Sequence, residues 1–80
     1  MTREEIIVKL TPMVREAFQD ETLTITDEMS AATVNGWTSL AFMQLLTNIE
    51  EQLGFRFKMM ELLQLKTMGD IINAISSHMN

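Results

Sequence analysis

The sequence contains no cysteine. That absence excludes a disulfide scaffold, a thiolate zinc site and a cysteine nucleophile together. Histidine is nearly absent: His78, close to the C-terminus, is the only one. A serine hydrolase needs a base beside its nucleophile and a partner that orients the base. His78 would have to be that base from a chain end expected to fray. Positive charge is scarce as well, with six basic against eleven acidic residues and a net charge of −5. A nucleic-acid backbone or an anionic lipid surface would repel that balance. No apolar run approaches the roughly 18 residues of a spanning helix, and MTREEIIVKL places acids where a signal peptide needs positive charge. The expectation is a soluble, cytoplasmic chain with neither nucleic acid nor membrane as partner, and no enzyme.

The 80 residues suit one domain, 1–80, and the 46% apolar and 21% charged fractions suit a folded one. A chain of this length buries roughly 60–70% of its unfolded surface, which suffices for one small core. Thr2 and Glu5 have the spacing of a capping box. Ile6, Ile7, Leu10, Val14 and Phe18 follow at close to the helical period, so one helix is predicted over roughly 3–18, kinked at Pro12. Residues 19–37 lack that period. Thr22 to Thr26 alternates like a strand but has no partner run, which favours an extended loop that drops Leu23 or Ile25 into the core. Asn35-Gly36 signals a turn.

The next helix is the clearest. Thr38 is its natural N-cap and Ser39 its first residue; Phe42, Leu45, Leu46, Ile49 and Leu53 mark its apolar face, and Gly54 stands at the C-terminal cap. Phe55-Arg56-Phe57 reads as a short extended link, and residues 59–65 as one or two helical turns. Thr67 and Asp70 open a last helix carrying Met68, Ile71, Ile72, Ile75 and Met79. The fold class is therefore all-α: a small bundle of three to four helices with a long first loop.

Asp27/Glu28 and Glu50/Glu51 are adjacent pairs, which do not converge on one metal ion, and read as solvated charge. Met13, Met29, Met59, Met60 and Met68 read as core or near-core filler. Phe18, Phe42, Phe55 and Phe57 read as core, and Trp37 as core or rim. Ser39 stands apart. At a helix N-terminus, free N–H groups and the macrodipole favour an anion, so a phosphate on Ser39 would be well placed. On helix physics alone, the favoured reading is that Thr38 or Ser39 is simply the cap, with no further role.

The surrounding residues add a resemblance. Gly36-Trp37-Thr38-Ser39-Leu40, followed by a helix ending Ile49-Glu50-Glu51-Gln52-Leu53-Gly54-Phe55, resembles the acyl carrier protein family, whose Gly-x-Asp-Ser-Leu motif opens the second helix. Leu65-Lys66-Thr67-Met68-Gly69-Asp70-Ile71-Ile72 resembles that family's Ile-x-Thr-Val-Gly-Asp-Val-Val segment, and Ile25-Thr26-Asp27-Glu28 its first loop. The similarity spans roughly residues 5–78. It implies an acyl-carrier-like fold and a 4′-phosphopantetheine arm on Ser39, installed from coenzyme A by a phosphopantetheinyl transferase. It further implies acyl-loading and acyl-transferring enzymes as partners, and a monomer.

The chain departs from the family in two places. Thr38 replaces the acid before the serine, and Ala41, Gln44, Thr47 and Asn48 leave the early second helix without carboxylates. Docking would then rest on apolar contacts, with Leu40 and Met43 foremost and Thr38 and Trp37 beside them. A peptidyl or aminoacyl carrier, and an unmodified interaction module of the same fold, are the alternative readings.

Overall fold

The computed structural model describes residues 1–80 as four helices: α1 (Arg3–Ala17), α2 (Ser39–Leu53), α3 (Met59–Leu62) and α4 (Met68–Met79). Each of the long helices begins on a side-chain cap. Thr2 and Glu5 close a capping box on α1, Thr38 caps α2, and Thr67 with Asp70 closes a second box on α4. Pro12 lies inside α1, which continues through it as one helix. Beside it, the Thr11 hydroxyl donates to the Ile7 carbonyl at 2.7 Å. At the far end of α2, Gly54 takes the left-handed conformation (φ 76°, ψ 33°), and its N–H donates to the Glu50 carbonyl.

α1 packs against both α2 and α4, and the core lies between them. Ile6, Leu10 and Val14 from α1, Leu45 and Ile49 from α2, and Met68, Ile71, Ile72 and Ile75 from α4 are almost wholly buried. No charged or polar side chain is buried with them. The molecule measures 30 × 25 × 22 Å along its principal axes.

The long loop between α1 and α2 forms no strand, as its lack of a partner run predicted. It contributes Leu23 and Met29 to the core, with Ile25 half-buried against it. The loop is also pinned to the start of α4. Met68 N–H donates to the Met29 carbonyl at 2.9 Å, and Gly69 N–H to the Asp27 carbonyl at 3.0 Å.

The structure corrects three expectations. Met13, Met29 and Met68 are buried, but Met59 and Met60 are 72% and 69% exposed. A single turn of helix covers the core with one side only, and in α3 that side is the half-buried Glu61 and Leu62. Glu50 is not merely solvated charge: its Oε2 accepts the Phe57 N–H at 2.9 Å and fixes the link after α2. The C-terminal end of α4 is tied down. His78 Nε2 lies 2.8 and 2.9 Å from the two Glu61 carboxylate oxygens, and its ring stacks on Phe55 at 4.4 Å.

Candidate functional site

The entry to α2 is built by a turn that only glycine fits. Gly36 has φ 89°, and a Cβ there would lie 2.6 Å from the Phe18 carbonyl oxygen. Trp37 follows, 8% exposed, stacked between Phe18 (5.0 Å) and Phe42 (5.8 Å). The structure thus places Trp37 in the core, not among surface docking residues. A large aromatic gains most from burial, and this one locks the loop against both helices.

With Trp37 anchored, the chain emerges at Thr38 and Ser39, both exposed. Thr38 is extended (φ −93°, ψ 169°), and its Oγ1 accepts the Ala41 N–H at 3.1 Å. Its carbonyl accepts the Phe42 N–H at 2.9 Å. The N–H groups of Ser39 and Leu40 have no acceptor within the protein. These two amides carry the positive end of the α2 dipole, and the first turn holds no acid to oppose an anion. Ser39 also borders a depression of about 390 Å³ whose lining includes Trp37, Phe42, Leu65 and Lys66. A phosphate esterified to Ser39 would therefore meet two free amides and no carboxylate. The residues present fit such a group.

Leu40 and Met43, expected beside the serine, are 70% and 56% exposed on the outer face of α2. The acid pairs and His78 are not brought to Ser39. Asp27 pairs with Arg3, Glu50 holds the link after α2, and His78 lies with Glu61. No three His, Cys, Asp or Glu side chains are grouped to hold a metal, and no helix is long and apolar enough to cross a membrane. The sequence reading missed that Lys66 borders the same depression as Ser39, because the two stand 27 positions apart and no local pattern links them.

A family model described as the phosphopantetheine attachment site matches residues 14–75, which contain the whole of this constellation. The chain belongs to that family. It is similar to an acyl carrier protein of Lactobacillus johnsonii, 29% identical over the full length of both chains. It also superimposes on the solution structure of a holo acyl carrier protein from Geobacter metallireducens, with a TM-score of 0.83 and 32% identity, over 90% of this chain and 83% of that one. The all-helical architecture is that of acyl carrier proteins. Members of this family are carriers, not enzymes, and the group they hold covalently is 4′-phosphopantetheine.

Proposed function

We propose that this protein is an acyl carrier whose 4′-phosphopantetheine arm is attached to Ser39, and that it serves a fatty-acid-like, polyketide or other specialised biosynthesis. The observation that carries the reading is the exposed serine hydroxyl at the first position of α2, with two unpartnered backbone amides beside it. The arm supplies the thiol that a chain without cysteine lacks, and so the thioester on which cargo is carried.

The protein's own part is positioning. Thr38 uses its hydroxyl on the Ala41 amide, which leaves the amides of Ser39 and Leu40 free for the phosphate. Gly36 and the buried Trp37 hold the start of α2 fixed relative to α1. Ser39 needs no internal base, because a transferase activates its hydroxyl from outside. That fits the absence of any histidine or carboxylate beside it. Leu40 and Met43 offer apolar contact to the transferase and to the enzymes that load and unload the arm. Both relatives named above are acyl carriers, which supports an acyl rather than an aminoacyl cargo.

The test is intact mass after incubation with coenzyme A and a broad-specificity phosphopantetheinyl transferase. The wild type should gain one phosphopantetheine and Ser39→Ala none. No gain with that transferase, nor with the one from the protein's own source, would leave an unmodified interaction module as the better reading.

A further inference from the structure

The turn that leads into α2 is built on Asn35-Gly36, a pair with chemistry of its own. The side-chain carbonyl carbon of an asparagine lies within ring-closing reach of the next residue's backbone nitrogen. A following side chain hinders that approach, and glycine has none. Trp37 N–H donates to the Val34 carbonyl at 3.2 Å, so Asn35 and Gly36 are the central residues of a β-turn. Gly36 has φ 89° and Asn35 has no positive φ, which is the type II pattern. Such a turn leaves the N–H between its central residues unpaired, and the Gly36 N–H has no acceptor within the protein. The Asn35 side chain makes no hydrogen bond, and both residues are exposed. Electrophile, nucleophile and water therefore meet there without a competing contact.

The other asparagines are held. Asn48 and Asn73 lie inside α2 and α4, where the following N–H belongs to the helical ladder. Asn73 also accepts from Arg3 at 3.3 Å. Asn80 accepts from the Met1 amine and donates to the Ser76 hydroxyl, each at 3.0 Å.

We propose that Asn35-Gly36 is a self-modification site, which converts slowly to an isoaspartyl linkage and thereby releases Trp37 and the start of α2. The Gly36 nitrogen loses its proton and attacks Asn35 Cγ. A C–N bond forms, the Cγ–Nδ2 bond breaks, and the side-chain amide leaves as ammonia. Water then opens the succinimide ring at either carbonyl. Opening at the side-chain carbonyl gives aspartate, and opening at the backbone carbonyl leaves the chain running through Cγ as isoaspartate. Both products gain one negative charge, but only isoaspartate lengthens the main chain, by one methylene carbon. That carbon enters where the fold has no slack. Gly36 sits so close to Phe18 that a Cβ would lie 2.6 Å from its carbonyl oxygen, and Trp37 is stacked between Phe18 and Phe42. The longer turn cannot keep the Val34–Trp37 hydrogen bond and both stacks, so the indole tilts out and carries Thr38 with it. On the carrier reading, on which this last step rests, Ser39 then meets the transferase out of place.

Fresh and aged protein test this. On storage in neutral to mildly alkaline buffer the mass should rise by the difference between water and ammonia, and faster at higher pH, because the amide proton must leave. An isoaspartyl methyltransferase with labelled S-adenosylmethionine should label position 35 alone, located by fragment-ion mapping. Asn35→Gln, whose closure needs a larger ring, should stay unlabelled over the same period. Tryptophan emission reads the structural step, since Trp37 is the sole tryptophan. The purified isoaspartyl form should emit at longer wavelength than fresh protein, whereas Asn35→Asp, with the charge but the ordinary backbone, should not. Phosphopantetheine transfer to the isoaspartyl form should be about tenfold slower than to fresh protein or to Asn35→Asp. No label at position 35, equal labelling at Asn48 or Asn73, or an unchanged emission would overturn the inference, and so would equal transfer rates. If fresh protein gained no arm either, the failure would lie at Ser39, and labelling with emission would still decide the fate of the turn.

Discussion

Thr38 occupies the position where the family carries an acid, and substitution can separate its structural role from recognition. As an N-cap its hydroxyl satisfies the Ala41 amide, and a carboxylate does that as well as a hydroxyl does. Thr38→Asp should therefore leave stability unchanged in urea denaturation, while Thr38→Ala should cost about 1 kcal/mol. If Thr38→Asp also speeds phosphopantetheine transfer, the effect belongs to docking and not to the fold. Two positions earlier, Gly36→Ala should cost more, about 1–3 kcal/mol, because a left-handed φ and a backbone oxygen 2.6 Å away both oppose a Cβ. At this scale the sequence was informative where chemistry is local. The cap, the turn and the serine could all be read from neighbours, but the burial of Trp37 could not. It depends on Phe18 and Phe42 closing over both ring faces, a contact that no spacing encodes.

The long helices were legible for a physical reason. Each has a capping residue at its start and at least three turns over which the apolar period can repeat. α3 has one turn, so its sequence carries no period, and the side that Met59 and Met60 take is decided by how the chain arrives from Phe57. What holds α3 is the contact between its Glu61 and His78 of α4, with Phe55 stacked on the imidazole. His78→Ala should therefore loosen α3 before the rest of the molecule, with faster amide exchange over residues 58–65 and little change in the core. The α4 cap gives a pH signature. Backbone N–H groups of Lys66 and Thr67 donate to Asp70 and hold its carboxyl below its ordinary 3.8. A carboxyl depressed in the folded state contributes stability that is present above its unfolded value and is lost as pH falls through its folded one. Asp70→Asn should thus be less stable than wild type at neutral pH, and the gap should narrow progressively below about pH 4 in urea titrations.

At the scale of the molecule, the hydroxyl proposed for modification lies outside the core, although the core residues Trp37 and Leu65 line the depression beside it, and this sets how mutations should sort. Every buried side chain is apolar, so the interior holds no group that titrates, and its stability rests on area and fit alone. An 80-residue chain has about 4–12 kcal/mol of stability in total at the usual value per residue. Leu45, wholly buried in the middle of α2, should cost about 2–5 kcal/mol on change to alanine, which is enough to bring the chain close to its unfolding threshold. Phosphopantetheine transfer to Leu45→Ala should then fall with the folded fraction and recover on cooling toward the temperature of maximum stability. Ser39→Ala should behave in the opposite way. Its hydroxyl is exposed and the cap belongs to Thr38, so its melting curve should overlay that of the wild type within about 0.5 kcal/mol, with no phosphopantetheine gained at any temperature. Calorimetry and intact mass on the same two variants would show this double dissociation. If Ser39→Ala melted well below the wild type, Ser39 would have a structural role, and its loss of modification could no longer be assigned to the missing hydroxyl.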